Sequence, residues 1–410
     1  MASHMTFNRH RLPLTALFLL LAWLAAAGQP AATWFRADSS TVVSLLTCAP
    51  GSIIYELEGH AALRIRQADG TDITVNWGLF DFKKPNFVYR FVKGETDYMA
   101  GAYPTAYFLR EYLATGRRVT EYNLLLTQEQ KAALLKAVEE NVRPENAVYR
   151  YNYVRENCAT AILDHIERAT GHPLVMPERP SDLADATTFR NAMKHYHRNY
   201  PWYQFGIDLA LGHGLDAPID SRELAFAPAA LAAMAPEITS DGKRVFADGV
   251  ALTPGEPEGT ACGPTPWWLT PIAAGTAVAL LALALSVRDI LCRSLSRWFD
   301  SIFYLLLGLA GCVITFLVFV STHYAASPNW LLLWINPLCL VIAVCIWFKR
   351  TYKALAVVQW LNLAGIAVYL ALAAFGPLRP NSAFFLFLTA DAARALTFLI
   401  IPSNVFSKKA

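Results

Sequence analysis

Gly59-His60-Ala61-Ala62-Leu63-Arg64 and Asn157-Cys158-Ala159-Thr160 are the two stretches on which the fold turns. The first reads as a strand that begins on a histidine. The second reads as the start of a helix, with Asn157 beside the first turn, Cys158 within it, and Ile162, Leu163 and Ile166 giving an apolar face until Gly171 and Pro173 end it. A thiol at a helix start is a candidate nucleophile, because unpaired N–H groups and the positive end of the helix dipole favour thiolate over thiol. An imidazole within reach can hold the proton.

Working outward, further strands are expected over 41–47, 72–77, 87–92 and 119–126 from their β-branched and aromatic content. Helices are expected over 104–114, 127–141, 156–170, 187–197 and 202–212. Thr127 with Gln130 forms a capping box for the second of these. Phe205, Leu209 and Leu211 predict that the last packs back on the core. The segment 248–266 holds Gly249, Pro254, Gly255, Pro257, Gly259, Gly263, Pro264 and Pro266, the composition of a flexible tether.

Beyond it the chain changes character. Five apolar stretches at 267–287, 302–321, 330–348, 355–375 and 383–401 are each about 20 residues long, enough to cross a hydrocarbon core of roughly 30 Å. Arg288, Arg293 and Arg297 follow the first, Lys349, Arg350 and Lys353 the third, and Lys408 and Lys409 the fifth, whereas the other two loops share the single cation Arg379. The positive-inside rule makes the cation-rich side cytoplasmic and puts everything before Trp267 outside the cytoplasm. The N-terminus agrees: after an expression-tag remnant at Met1-Ala2-Ser3-His4-Met5, a basic region (Asn8-Arg9-His10-Arg11), an apolar run (12–22) and Ala25-Ala26-Ala27 read as a secretory signal peptide or, uncleaved, an anchor. Four parts result: 1–32, an extracytoplasmic domain at 33–247, a Pro/Gly-rich linker at 248–266, and a five-helix transmembrane domain at 267–410.

The net charge of +3 gives no sign of a nucleic-acid partner. Of seven cysteines, Cys292, Cys312, Cys339 and Cys345 belong to the membrane part, leaving Cys48, Cys158 and Cys262 on the oxidising side. Three is odd, so at least one of them is free or pairs outside the chain. Cys48 could be a disulfide partner, a packed thiol or a rival nucleophile. His172, His195, His197 and His213 cluster in sequence, but no Cys or acidic residue completes a metal-ligand spacing, so no metal is expected. Lys83, Lys84, Arg90 and Lys93 alternate with Phe82, Phe87, Tyr89 and Phe91, which suits either a headgroup-binding surface or a strand with one wet face.

A strand histidine that precedes a helix cysteine reverses the order of papain and fits a circularly permuted papain-like domain of the α+β class. The ordered series Leu45-Leu46-Thr47-Cys48-Ala49-Pro50-Gly51, Gly59 through Arg64, Gly78-Leu79-Phe80-Asp81-Phe82, Pro85-Asn86-Phe87, Phe91-Val92-Lys93-Gly94-Glu95-Thr96-Asp97-Tyr98, Tyr149-Arg150-Tyr151-Asn152-Tyr153 and Asn157-Cys158-Ala159-Thr160 resembles the family that includes Bacteroides-type lipoprotein N-acyltransferases (Lnb). Trp202 with Phe205 through Gly212 extends the resemblance, and Arg155-Glu156 departs from it. The resemblance implies an enzyme that moves a fatty acyl chain from a membrane phospholipid to the α-amine of a diacylated lipoprotein, with no cofactor. On this reading Cys158 is the nucleophile, His60 the base, Asn76 the residue that orients the imidazole, and the Cys158 N–H an oxyanion donor. Arg90, Lys93, Tyr98 and Tyr153 are the expected substrate-binding residues. A membrane-tethered papain-like peptidase or amidase acting on peptidoglycan, and a non-catalytic envelope scaffold, are the readings from other classes.

Overall fold

Seven strands pair antiparallel throughout in the order β10-β5-β1-β2-β3-β4-β6: β1 Val42–Cys48, β2 His60–Arg66, β3 Asp72–Leu79, β4 Asp97–Pro104, β5 Val119–Asn123, β6 Val148–Arg150 and β10 Val250–Ala251. A small second sheet joins β7 Leu174–Val175, β8 Thr239–Ser240 and β9 Lys243–Arg244. This is a computed structural model, and it describes residues 35–401 apart from 81, 82, 84, 261 and 377. The expected signal segment, Phe82, Lys84, Lys408 and Lys409 lie outside the described residues.

Helices α1 Phe87–Lys93, α2 Thr105–Thr115, α3 Gln128–Asn141, α4 Cys158–Thr170, α5 Phe189–Tyr196, α6 Pro201–Ala210, α7 Ser221–Leu224 and α8 Pro228–Met234 complete this α+β domain. Sheet side chains divide by face. Leu45, Ala61, Leu63 and Val75 join Ile162, Leu163 and Ile166 of α4 in the main core, while Leu46, Cys48 and Ala62 pack with Phe108 and Tyr112 of α2. The alternation along β1 and β2 is the period-2 pattern of a sheet covered on both faces. The capping box at Thr127 and Gln130 forms as expected.

The region between β3 and α2 departs from expectation in two places. Residues 87–92 are helical, not extended, and none of α1 is buried. The strand β4, unforeseen, contains Gly101 and ends on Pro104, residues that weaken any strand signal.

Gly59 sets the entrance to β2. Its φ is +84°, and a Cβ there would stand 2.5 Å from the Cys48 carbonyl oxygen. Gly59→Ala therefore forces both a left-handed conformation and a backbone clash, and is expected to destabilise the domain by about 1–3 kcal/mol, measured by thermal unfolding.

Five stretches of the C-terminal part are long and apolar enough to cross a membrane. Four are continuous helices: α9 Pro271–Cys292, α10 Arg297–Phe319, α12 Tyr352–Phe375 and α13 Ser382–Ile400. The third, expected as one helix over 330–348, is instead a 3-10 turn at Trp330–Leu333 followed by the short α11 Leu338–Cys345. Non-helical backbone at membrane depth requires cover by protein. Glycines supply it: a Cβ on Gly365 would lie 1.9 Å from Leu333 O, and one on Gly311 2.5 Å from the Asn336 backbone. Nothing larger than glycine fits at either contact, and Trp334 is fully buried between them. At the cytoplasmic end Arg394 of α13 pairs with Asp300 of α10 at 2.5 Å and Asp289 of α9 at 2.8 Å.

The two parts are docked, not tethered. Val250 and Ala251 extend the sheet beside β5, and the buried Thr253 hydroxyl accepts from Val119 N at 2.7 Å and donates to Arg117 O at 2.8 Å. The Pro/Gly-rich segment is thus partly structure, because its glycines allow close approach: a Cβ on Gly259 would fall 1.9 Å from Pro50 O. Across the junction, Asn381 Nδ2 donates to Asp208 Oδ2 at 2.8 Å, Gly212 N to Ala325 O at 2.7 Å, and Thr322 N to Lys93 O at 2.9 Å. Phe205 and Leu209 of α6 pack on the membrane bundle, while Ile207 and, just past the helix, Leu211 pack on the domain core, so α6 is shared between the two parts.

Candidate active site

Asn157 explains the position of Cys158. Its backbone is extended, its side-chain oxygen accepts from Ala159 N at 2.9 Å and Thr160 N at 3.1 Å, and Thr160 Oγ1 accepts in return from Asn157 N at 2.8 Å. Asn157 Nδ2 donates to Tyr153 O and Phe226 O, both at 2.8 Å, so the cap is itself held on two sides. Cys158 is then the first residue of α4, and its own N–H is not claimed by the cap. Its side chain is 7 % exposed, at the edge of the core rather than deep within it.

His60 opens β2, which packs against α4. Its side chain is hydrogen-bonded to that of Cys158. Its Nε2 lies 2.6 Å from Asn76 Oδ1, and Asn76 Nδ2 donates to Tyr103 OH at 2.9 Å. The second bond fixes the orientation of the amide, turning its oxygen to the imidazole. An accepting oxygen at Nε2 stabilises the proton there and leaves Nδ1 for the thiol. Asn76 is placed by the hairpin register, which sets it opposite Ala62, two residues along from His60.

Electrostatics follow from this arrangement. Burial by itself would push the Cys158 thiol up, but the charge and hydrogen bond of His60, with the Ala61 N–H, outweigh it and hold the thiol below its ordinary value. Burial by itself would lower His60, but Cys158 and Asn76 outweigh it and hold the imidazole above its ordinary value. Each group favours the charged form of the other. Both shifts run in the direction that favours proton transfer from the thiol to the imidazole.

Comparison with known families is decisive here. Residues 31–191 match the family model described as Lnb N-terminal periplasmic domain, and residues 264–404 match that described as Lnb transmembrane domain. The chain belongs to the Lnb family. No curated protein and no solved structure matches it. Family membership and the five candidate spans make it a multi-pass inner-membrane protein whose N-terminal domain is periplasmic.

In this Lnb chain the other periplasmic cysteines are set differently. All three are free. Cys48 is the cross-strand neighbour of His60, yet it is buried against Leu46, Phe108 and Tyr112, and burial pushes its thiol well up despite a hydrogen bond to Tyr112. A protonated, packed thiol is a poor nucleophile. Cys262 is exposed on the connecting segment, where Tyr200 OH accepts from its backbone N–H at 2.9 Å.

Of the expected substrate-binding residues Arg90 and Tyr98 line one small cavity, which Lys93 and Tyr153 do not reach. Arg90 is ion-paired with Glu95 at 3.2 Å and Asp97 at 2.8 Å, and Lys93 with Glu95 at 2.5 Å, so both cations are already engaged. Tyr98 is buried between Phe80 and Tyr151, with ring centroids 4.9 and 4.5 Å away, and burial raises its phenol to about 12. Tyr153 packs beside Phe226 at 6.2 Å. His197 is a core residue that bridges Gln204 Oε1 at 2.8 Å and Glu58 Oε1 at 2.7 Å. Sequence reasoning missed Tyr103, which backs Asn76, because the strand that carries it went unseen. It also missed Arg155, at the departure from the family pattern. Its guanidinium lies 4.7 Å from the Tyr324 ring of the outer membrane loop, joining the segment before α4 to the bundle.

Proposed function

We propose that this protein is a lipoprotein N-acyltransferase that works through a thioester on Cys158. The observation that carries the reading is the pairing of Cys158, at a helix start, with His60, whose ring is steered by an amide, in a domain held against a membrane bundle. In the first half-reaction the Cys158 thiolate attacks an ester carbonyl of a phospholipid, with the Cys158 N–H as a donor to the oxyanion. The carbon–oxygen bond to the lyso-lipid breaks, and His60 gives its proton to the departing alkoxide. In the second, the α-amine of a diacylated lipoprotein cysteine attacks the thioester and His60 takes its proton. The carbon–sulfur bond then breaks, and the thiolate returns as the amide forms.

Asn76 and Tyr103 have a positioning role in this scheme. Asn76→Ala frees the ring to rotate and removes the acceptor for Nε2–H, and is expected to lower turnover by roughly 10- to 100-fold while leaving lipid affinity nearly unchanged. Kinetics that moved KM and spared kcat would count against this role.

The reading is tested by incubating the full-length protein with phospholipid vesicles and recording its intact mass and peptide map. An acyl adduct on Cys158, discharged by a diacylated lipopeptide, is the expected result. An adduct on Cys48, or muropeptide cleavage with no adduct at all, would replace it.

A further inference from the structure

Helix α1 combines a charged edge with an apolar remainder. Arg90 and Lys93, one turn apart, are tied back to Glu95 and Asp97, while Val88, Tyr89 and Phe91 are exposed. For a domain surface in water this is a costly arrangement, but it suits a helix lying in the membrane interface. Its surroundings place it there. The Tyr89 ring lies 6.2 Å from that of Phe316, Phe91 O accepts from His323 Nε2 at 2.7 Å, and Thr322 N donates to Lys93 O. Phe316 is three residues, about 4.5 Å, inside the periplasmic end of α10. The 23 residues of α10 span about 34 Å, close to the thickness of the hydrocarbon core, so this contact is at the depth of the outer leaflet's chains.

Between α1 and α10 runs an open groove of about 770 Å³, lined by Phe87, Val88, Tyr89, Val92, Val313 and Phe316 among others. Its walls are overwhelmingly hydrocarbon, and one of them is a membrane span. From its upper end a series of rings leads inward: Phe87 to Phe80 at 6.2 Å, Phe80 to Tyr98 at 4.9 Å, and Tyr98 to Tyr151 at 4.5 Å. Tyr151 is near enough to Cys158 for the thiolate's charge to act on its phenol. Gly78 lies alongside Tyr151, since a Cβ there would be in ordinary contact with the ring at 3.5 Å.

We infer that the groove between α1 and α10 holds one acyl chain of the phospholipid donor in the outer leaflet, and that the ring series guides the lipid's ester end to Cys158. This deepens the acyltransferase reading and rests on it. The occupant is hydrocarbon because the groove opens to the bilayer and offers an acyl chain apolar contact along its length. The donor is favoured over the acceptor because the ring contacts run from the groove wall at Phe87 to Tyr151 beside the thiol, and the thiol must meet the donor first.

The test uses the unmodified full-length chain in phosphatidylglycerol vesicles containing a trace of phospholipid with a diazirine at the end of one chain. After illumination, label in peptides covering residues 86–92 and 312–316 is expected at five or more times the level on the exposed face of α12 around Val357 and Leu361. Even labelling of all spans overturns the inference, as does preferential labelling of the same peptides by a diazirine lipopeptide. In a second arm, Val313→Trp fills the groove and is expected to slow thioester formation from long-chain phospholipid at least tenfold, whereas Val357→Trp leaves the rate unchanged. Equal rates in the two variants overturn the inference. Crosslinking needs no chemistry, so groove labelling without a thioester rejects the transfer reading alone, and a Cys158 thioester without groove labelling rejects the groove alone.

Discussion

Replacing Cys158 by alanine is expected to abolish the acyl adduct and lower acyl transfer by roughly 10⁴-fold or more. No other described periplasmic thiol is equipped to substitute. Cys48 is 1 % exposed and held protonated by its apolar surroundings, and Cys262 is an exposed thiol on the connecting segment that is not among the groups acting on His60. Cys158→Ser should rescue little, because the helix start and His60 stabilise a thiolate but do not bring an alcohol near ionisation at neutral pH. Both variants keep the Asn157 cap, which uses backbone N–H groups of Ala159 and Thr160, so their folding should match the parent. Intact mass together with a chromatographic assay of the acylated lipopeptide measures the loss. Transfer at the parent rate by Cys158→Ala would overturn the assignment.

The second large effect is expected from pH and from His60. The lowered thiol of Cys158 and the raised imidazole of His60 both favour the ion pair that acyl transfer would use. Rate should climb as Cys158 ionises, at a pH below the ordinary thiol range, and fall as His60 loses its proton, above the ordinary histidine range. In His60→Ala the opposing charge and its hydrogen bond are gone and only the N–H groups of Ala61 and Ala159 are left to oppose burial, so the Cys158 thiol moves up. Alkylation of Cys158 by iodoacetamide at neutral pH should slow by at least roughly 100-fold, with the surviving rate rising steadily towards alkaline pH. A variant that kept the parent's alkylation profile would show that His60 does not form the pair.

The sequence carried some of this plainly. The helix expected over 156–170 puts Cys158 in a first turn without tertiary information, and the Asn157–Thr160 cap sets its start two residues later, at Cys158 itself. His60 at the head of β2 follows from strand patterning, and Asn76 could be named because it lies on the next strand. What could not be read was the second layer. Tyr103 acts on Asn76 from β4, and β4 was hidden by Gly101 and Pro104, which are poor strand formers tolerated here beside β3 and β6. The alternation Phe87, Tyr89, Phe91 reads as a strand only if the surroundings are water on one side and core on the other. Packed against a membrane span, the same residues form a helix with apolar groups almost all round, which period-2 patterning does not anticipate. Likewise, hydropathy identifies the third span but not its break, because the glycines that accommodate the break, Gly311 and Gly365, belong to other helices.

The docking of the domain through α6 has a practical side. A fragment cut between the halves would bare Phe205 and Leu209, which rest on Phe384 and its neighbours in the whole chain, and would deprive Asp208 of its bond from Asn381. Such a piece would carry a sticky strip where the intact protein has an internal seam, and self-association would compete with any assay performed on it. Proteolytic trimming and soluble truncations are therefore poor reagents for this protein, and detergent or lipid preparations of the whole chain are the form in which its chemistry should be measured.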